Sequence, residues 1–577
     1  MRPMTYGLFL GSIILALPMA GCGIDGDPGR LALKIHYYSP GDDSGLRTND
    51  PPPTGSAPDD ITGYRICVNA DDMDKARCDQ FNKADHPTGA KLDGIKPGEN
   101  RTVFFKGYDA GAAYEVHWCG KVSGVDVKEN ETTPVEMYIT ICSDFTPVRK
   151  SMTQPRVFHT ATVLPDGRVL VVGGFSSMTS KEACDVGACH ILSATSSIDI
   201  YNPKTGQFEP SSGMELIHPR GLHTATLLPD GRVLVAGGAA KVMWRVSFPD
   251  GPRPVVEVDT RPGGDDTLAG NSAEIIDPLS KKVEEVNMTT PRAGHRAVAF
   301  SNGDVLLVGG VNPSTNSPLA SFSRFESASG GFSDIPNAAN APRQGAAVAE
   351  FAPKTFLFWG GNRVNSPSPG PFAEVLYEES DGSAFVLTPK FVMDANATKG
   401  DPSFYAAAAS TQENKVLICG GMIVDQAYDN NLTNKVRLIN TFRYADMTGQ
   451  AESFDDTGSS VMNIMRAFHT ATTLHSSLIR GEVLVAGGVT RYDTGGQYFE
   501  VTDKAEFFNP GELSFNVKQI SSVSVSMTEP RAGHVSVELE DGTVFVSGGF
   551  TSSGGSDLSI SDTAEIFNPS SRVLRID

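Results

Sequence analysis

Positive charge is scarce in this 577-residue chain: 48 lysines and arginines stand against 68 acids, a formal net charge of −20. Phosphate would be repelled by such a protein, which disfavours nucleic acid as a partner. Adsorption of the protein body to an anionic membrane is disfavoured for the same reason. Acidity of this kind suits solubility outside the cell. Beyond the first 22 residues no apolar run approaches the roughly 20 residues needed to span a bilayer. Sustained helical periodicity is missing from the N-terminal third. Catalytic signatures are missing too: there is no G-x-S-x-G, H-E-x-x-H, Walker loop or dinucleotide fingerprint. Tryptophan is rare, with three in all.

What the chain does have is repetition. Residues 223–238 read HTATLLPDGRVLVAGG, and close variants begin at His159, His295 and His534. A double glycine occurs seven times, at 173–174, 237–238, 309–310, 360–361, 420–421, 487–488 and 548–549. A motif recurring every fifty to seventy residues or so signals a repeat architecture. In each unit an alternating strand of small residues precedes a Pro-Asp-Gly type turn. A short, wholly apolar strand follows and ends in the glycines, which permit a close approach that a Cβ would block. After a variable loop, a third strand ends in Asn-Pro or a similar turn, as in IDIYNP at 198–203 and AEIFNP at 564–569. Phe208, Val283, Phe332, Phe385, Phe515 and Val573 then open a fourth strand.

These features, with Pro-Arg-x-x-His opening the first strand, resemble Kelch repeats across about residues 150–577. The resemblance implies an all-β fold: a seven-bladed Kelch-type β-propeller at 147–577, with a six-bladed count left open by the degenerate fourth and fifth units. The chain departs from the family in using Phe or Val where Kelch repeats carry Trp.

Residues 1–22 read as a targeting segment, with Arg2 as the positive region and Tyr6–Ala20 as a short apolar stretch. Met19-Ala20-Gly21-Cys22 resembles a bacterial lipobox, with Met19 in place of the usual Leu. The resemblance implies lipidation at Cys22, stable anchoring by acyl chains and, from Gly23, outer-membrane sorting, with the membrane touched only through lipid. Residues 39–62 read as a mobile loop. Runs rich in Val, Ile, Tyr and Phe over 31–38, 63–68, 101–106, 113–122 and 134–141 predict strands. Residues 23–146 are therefore expected to form a small β-sandwich stalk, immunoglobulin-like or prealbumin-like.

Cysteine usage suits an oxidising compartment. Cys67, Cys78, Cys119 and Cys142 allow three connectivities; Cys67–Cys78 and Cys119–Cys142 are favoured because both close locally. Cys184 and Cys189 are expected to form a small disulfide ring. The alternative is a metal site with His190, but it lacks a fourth ligand. Cys419 remains as a small buried hydrophobe.

Two side chains repeat with the units. His159, His223, His295, His469 and His534 are equivalent, which marks them as structural parts; a metal ring is the rival reading. Arg156, Arg220, Arg292, Arg343, Arg466 and Arg531 lie three residues earlier. They either pair with third-strand carboxylates such as Asp199, Glu274, Glu374, Glu506 and Glu565 or grip an acidic ligand at a channel mouth. They are carried as candidate binding residues with Trp244, Arg245 and Phe248, on the long loops after the double glycines, where variable segments ride a rigid scaffold. Trp244 is the proposed anchor; otherwise it packs its own loop. No catalytic residue, cofactor or metal is assigned. The expected function is a non-catalytic cell-envelope lipoprotein whose propeller binds a protein or a polysaccharide. The alternative is a galactose oxidase-like or other metal-dependent extracytoplasmic enzyme, although that copper site cannot be matched residue by residue.

Overall fold

Val169–Val172, Val233–Ala236, Val305–Val308, Glu482–Ala486 and Val544–Ser547 are buried at every position. A strand covered on both faces needs apolar residues throughout, and these segments have them almost throughout. In the computed structural model each is the second strand of an antiparallel sheet. The structure describes residues 28–37, 61–73, 75–108, 116–181, 189–209, 213–247, 255–259, 268–335, 339, 342–352, 354–361, 373–378, 385–386, 403–411, 415–423, 436–439, 462–475, 481–492, 499–512, 514–516, 519–520, 523–552 and 558–569. The fold is all-β; the helix among these residues is the single turn Leu268–Asn271.

Seven sheets follow one plan. The first runs Thr160–Val163, Val169–Val172, Ile198–Asn202 and Gln207–Phe208, neighbours in that order. Thr224–Leu227, Arg296–Ala299, Ala347–Ala352, Ala407–Thr411, Thr470–Leu474 and Val535–Glu538 open the other six. The fifth sheet shows three strands among the described residues, Ala407–Thr411, Lys415–Cys419 and Val436–Ile439. Phe208, Val283, Phe332, Phe385 and Phe515 lie in fourth strands, as the sequence implies.

The seventh sheet differs from expectation. Val573 lies outside the described residues, and the fourth strand is Phe145–Pro147, from upstream of every repeat. It pairs antiparallel with Ala564–Phe567, and Phe145 packs its ring 5.0 Å from that of Phe567. The chain therefore joins its last sheet from both ends of the repeat region.

Neighbouring sheets are stapled at the double glycines. The amide of Gly174 donates to the carbonyl of Arg220, Gly238 to Arg292, Gly310 to Arg343, Gly421 to Arg466 and Gly488 to Arg531, all at 2.7–2.8 Å. Both glycines of each pair have positive φ, 58° and 92° at Gly173 and Gly174. A Cβ on Gly173 would lie 2.5 Å from the Arg220 carbonyl oxygen. Glycine is required here by conformation and by proximity together.

The N-terminal part holds two sheets around one apolar core that includes Leu31, Tyr64, Ile66, Phe105 and Met137. Gly29–His36 lies between Lys91–Ile95 and, in parallel, Thr132–Tyr138. The other sheet runs Arg77–Asn82, Gly63–Asn69, Gly98–Tyr108, Val116–Val127 and Thr140–Ile141. Arg77–Asn82 and Lys91–Ile95 were not legible as strands, being polar and mostly exposed or half-exposed. The disulfides Cys67–Cys78 and Cys119–Cys142 form as favoured. Tyr138 Oη donates to the Pro147 carbonyl at 2.9 Å and Asn568 Nδ2 to Thr140 Oγ1 at 2.7 Å, tying this part to the seventh sheet.

The loops after the first two double glycines are not independent. Phe175–Lys181, Cys189–Ala194, Lys241–Ser247 and Val255–Asp259 form one four-stranded sheet. It packs on a cluster that includes Val157, Phe175, Leu192, Trp244, Phe468 and Phe550, from several units.

Candidate functional site

The repeated arginines are buried clips. Arg156, Arg220, Arg292, Arg343, Arg466 and Arg531 have no exposed surface. Each donates through Nη1 to the carbonyl of the first glycine of its own pair, for example Arg220 to Gly237 at 2.8 Å and Arg466 to Gly487 at 2.7 Å. Five also pair with the third-strand carboxylate of the same unit: Arg156 with Asp199, Arg220 with Glu274 (2.6 Å), Arg343 with Glu374 (2.8 Å), Arg466 with Glu506 (2.6 Å) and Arg531 with Glu565 (2.9 Å). The carboxylates in turn accept backbone amides, as Glu274 does from Ile217 and His218. The third unit has Ser323 instead, which accepts from Arg292 and passes the bond to Asp334 at 2.6 Å. With no carboxylate in direct contact, burial pushes Arg292 down to about 10, against the opposing pull of Asp334.

The repeated histidines are wedges between sheets. Nε2 of His159, His223, His295 and His534 bonds Ser547, Thr160, Thr224 and Thr470 of the preceding sheet at 2.9–3.0 Å, and His469 reaches the Cys419 thiol at 3.5 Å. The Nε2 partner is in each case a side-chain hydroxyl or thiol. Burial pushes His223 and His534 down to about 3 and holds the other three well below their ordinary value. Burial likewise pushes the Cys419 thiol up to about 12, so it is inert.

Just before each histidine position the chain turns into the left-handed region. Phe158, Leu222, Tyr405 and Phe468 do so at φ 53–56°, and Gly294, Gly345 and Gly533 at 62–66°. Their backbones bond in succession: Leu222 N to Phe158 O, Gly294 N to Leu222 O, Tyr405 N to Gly345 O, Phe468 N to Tyr405 O, Gly533 N to Phe468 O and Phe158 N to Gly533 O. Four bulky side chains accept a conformation for which three units use glycine, at a cost of order 1 kcal/mol each. The rings pack on one another. Tyr405 stacks on Phe468 with centroids 4.4 Å apart, and Trp244 lies behind, 5.1 Å from Phe468 and 5.6 Å from Phe158.

This floor closes one end of a cavity of about 510 Å³ whose walls are the seven first strands. Thr160, Thr224, Thr470 and Ser536 line it beside small residues such as Ala347 and Ala407, with their hydroxyls bonded to His223, His295, His534 and Thr472. Arg296 is the charged side chain of the lining, and no carboxylate belongs to it. Its Nε donates to the Ala346 carbonyl at 2.9 Å. Arg296 is exposed to the cavity while deep within the protein, and burial lowers its pKa, with the Tyr405 phenol opposing. The phenol is itself pushed up by burial and accepts from Gln344 Nε2 at 3.4 Å.

No protein-family model matches the chain, and no curated protein matches it in sequence. Among solved structures, it is similar to a novel fungal alcohol oxidase with catalytic diversity among the AA5 family, in complex with copper. That likeness has 14% identity and a TM-score of 0.47, covering 74% of this chain and 75% of the oxidase. It is also similar to YjhT, at 12% identity and a TM-score of 0.36, covering 72% of this chain and 95% of that one. The structural neighbours are thus galactose oxidase-like all-β proteins.

The expectation of a non-catalytic propeller gripping a protein or glycan is corrected. The anchors chosen for gripping are covered. Trp244 is 2% exposed, because its strand pairs into the four-stranded sheet and its ring meets the axial aromatics. The arginine guanidinium groups are spent on carbonyls and carboxylates within their own units. The Arg245 side chain, Phe248, Cys22 and Cys184 lie outside the described residues, as does the side chain of Cys189.

A copper centre does not fit the described axial residues. No group of three His, Cys, Asp or Glu among them is placed to hold a metal. Each axial imidazole has Nε2 committed to a neighbouring sheet, and its Cε1 abuts the first glycine of the preceding unit's pair: a Cβ on Gly173 would sit 2.9 Å from His223 Cε1. Sequence reading missed Arg296 and Tyr405. The signal was a broken repeat: Arg296 stands where the first, second and sixth units have Thr, and Tyr405 precedes an Ala in place of His.

Proposed function

We propose that the seven units are the blades of a closed Kelch-type β-propeller, carried on a small β-sandwich at 23–146, and that the axial cavity is its working site. Two sets of bonds support closure. The double-glycine staples join the first unit to the second, the second to the third, the third to the fourth, the fifth to the sixth and the sixth to the seventh, and Gly549 to Arg156 joins the seventh to the first; the axial amides bond in a run from Gly345 through Tyr405, Phe468, Gly533, Phe158 and Leu222 to Gly294. Within this frame the protein acts as an enzyme on a small molecule, in its extracytoplasmic compartment. The carrying observation is the cavity itself: it combines small-molecule size, a guanidinium and a phenol whose pKa burial raises. The opposite face is taken up by packing around Trp244. No metal-dependent step is assigned, since the described donors do not converge.

The test is a panel of small substrates offered to purified protein and to Ala407→Phe. The first, second, third, sixth and seventh units carry Thr, Arg or Val at this position, so a larger side chain is tolerated there. Turnover lost in the variant at unchanged melting temperature is expected. Turnover equal in both would move the site off the axis. Stoichiometric metal in the purified protein would reopen the metal-dependent form.

The lipid anchor belongs to the same reading: the lipobox-like run and Cys22 support an outer-membrane lipoprotein. Cys22→Ser should move the protein from the detergent phase to the aqueous phase. Identical partitioning of both forms would end that assignment.

A further inference from the structure

We propose that the axial cavity takes a small organic carboxylate, held end-on by Arg296, with its apolar body lying over Gly294 toward the aromatic floor. The proposal rests on the axial cavity being the working site. Two independent observations carry it.

The first is charge. Arg296 lines a cavity whose lining holds no acid, and among the described residues no carboxylate lies within ion-pair distance of it. The other arginines near the axis are spent on carbonyls, carboxylates and hydroxyls. The axial imidazoles are neutral near pH 7. A single uncompensated guanidinium therefore sets the sign of the cavity, although the whole chain carries −20. The distant acids are screened within about 8 Å in physiological salt, whereas a ligand in the cavity meets Arg296 directly. The bond from Nε to Ala346 fixes the guanidinium plane and leaves the two terminal nitrogens, the fork that matches a carboxylate. One such fork suits a monoanion; a phosphate dianion would lack compensation here.

The second is shape. Of the three floor glycines, Gly345 and Gly533 are covered by neighbouring rings: a Cβ there would lie 2.9 Å from Tyr405 and 2.8 Å from Phe158. At Gly294 nothing stands within 4 Å of an added Cβ. The floor thus has a bay, and Arg296 opens the strand two residues later. Two residues span at most roughly 7 Å of backbone, which bounds the backbone separation of bay and guanidinium. That span suits a ring or short chain ending in a carboxylate, flanked by Tyr405 and Phe468.

The experiment titrates detergent-solubilised full-length protein with benzoate, phenylacetate and 3-phenylpropanoate, with their neutral amides, and with inorganic phosphate. At least one carboxylate should bind, its amide at least tenfold more weakly, and phosphate more weakly still. Arg296→Gln should lose at least tenfold for the carboxylate and nothing for the amide, with the melting temperature of the free protein unchanged. Arg296→Lys, a point charge without the fork, should fall between. Carboxylate binding undiminished in Arg296→Gln, equal binding of amide and acid, phosphate binding as tight as the acids, or no binding by any probe would each overturn the proposal. Ala407→Phe separates the two readings. If amides and acids bind equally and both are lost in that variant, the axial site stands and the carboxylate assignment falls. If binding survives in both Ala407→Phe and Arg296→Gln, both fall.

Discussion

The amide of Gly549 donates to the carbonyl oxygen of Arg156 at 2.7 Å, across 393 positions of sequence. The same bond joins Gly174 to Arg220 and Gly488 to Arg531, so the contact between the last sheet and the first repeats the contact between consecutive sheets. Strand Phe145–Pro147 reinforces that junction by completing the last sheet.

Gly549→Ala should therefore destabilise the whole repeat region. The substitution forces φ 103° on a residue with a Cβ and places that Cβ 2.9 Å from the Cβ of His534. A loss of about 1–3 kcal/mol is expected. Gly330→Ala is the control: it has φ 68° with nothing within 4 Å and should cost about 1 kcal/mol. Urea titration of the two variants checks the order; equal losses would show that the packing of Gly549 against His534 is not tight.

Arg466→Met should cost about 3–5 kcal/mol, because it strands the buried Glu506 carboxylate. Adding Glu506→Gln should recover part of that loss, since Asn463 and Ile464 still donate to the side chain. Arg292→Met should cost less, since its direct acceptor is the Ser323 hydroxyl. A double-mutant cycle for Arg466 and Glu506 measures the coupling; strict additivity would remove the ion pair from the account.

Acid should weaken the fold before most carboxylates titrate. The five axial imidazoles are neutral in the folded protein, with His223 and His534 pushed down to about 3 by burial, while the unfolded chain protonates them near 6.5. Between those values the unfolded state binds more protons, so stability rises with pH. It is fully present above about 6.5 and declines as pH falls toward 3. Melting temperature recorded between pH 7 and 5 should drop, and His223→Gln should lessen the slope. A flat profile over that range would contradict the neutral wedges.

Trp244→Ala should destabilise the protein by about 3–5 kcal/mol, because the indole fills the space behind Phe158 and Phe468. Thermal melts give the answer. An unchanged melting temperature would return Trp244 to the surface and restore it as a binding anchor.

Local chemistry alone determined much here. Alternation, Pro-Asp-Gly turns, double glycines and apolar second strands need only neighbours along the chain to be interpretable, so the all-β repeat and most strand positions were legible. Local cysteine spacing was enough for both disulfides. Only tertiary structure decided the rest. Whether Arg220 meets solvent or Glu274 depends on a strand fifty residues away. Trp244 sits in a loop by sequence and in the core by packing, because two loops from different units pair into one sheet. The seventh sheet draws Phe145–Pro147 from upstream of the repeats, which no repeat pattern encodes. The cavity is lined by residues of all seven first strands, and Arg296 gains significance only because no carboxylate belongs to that lining.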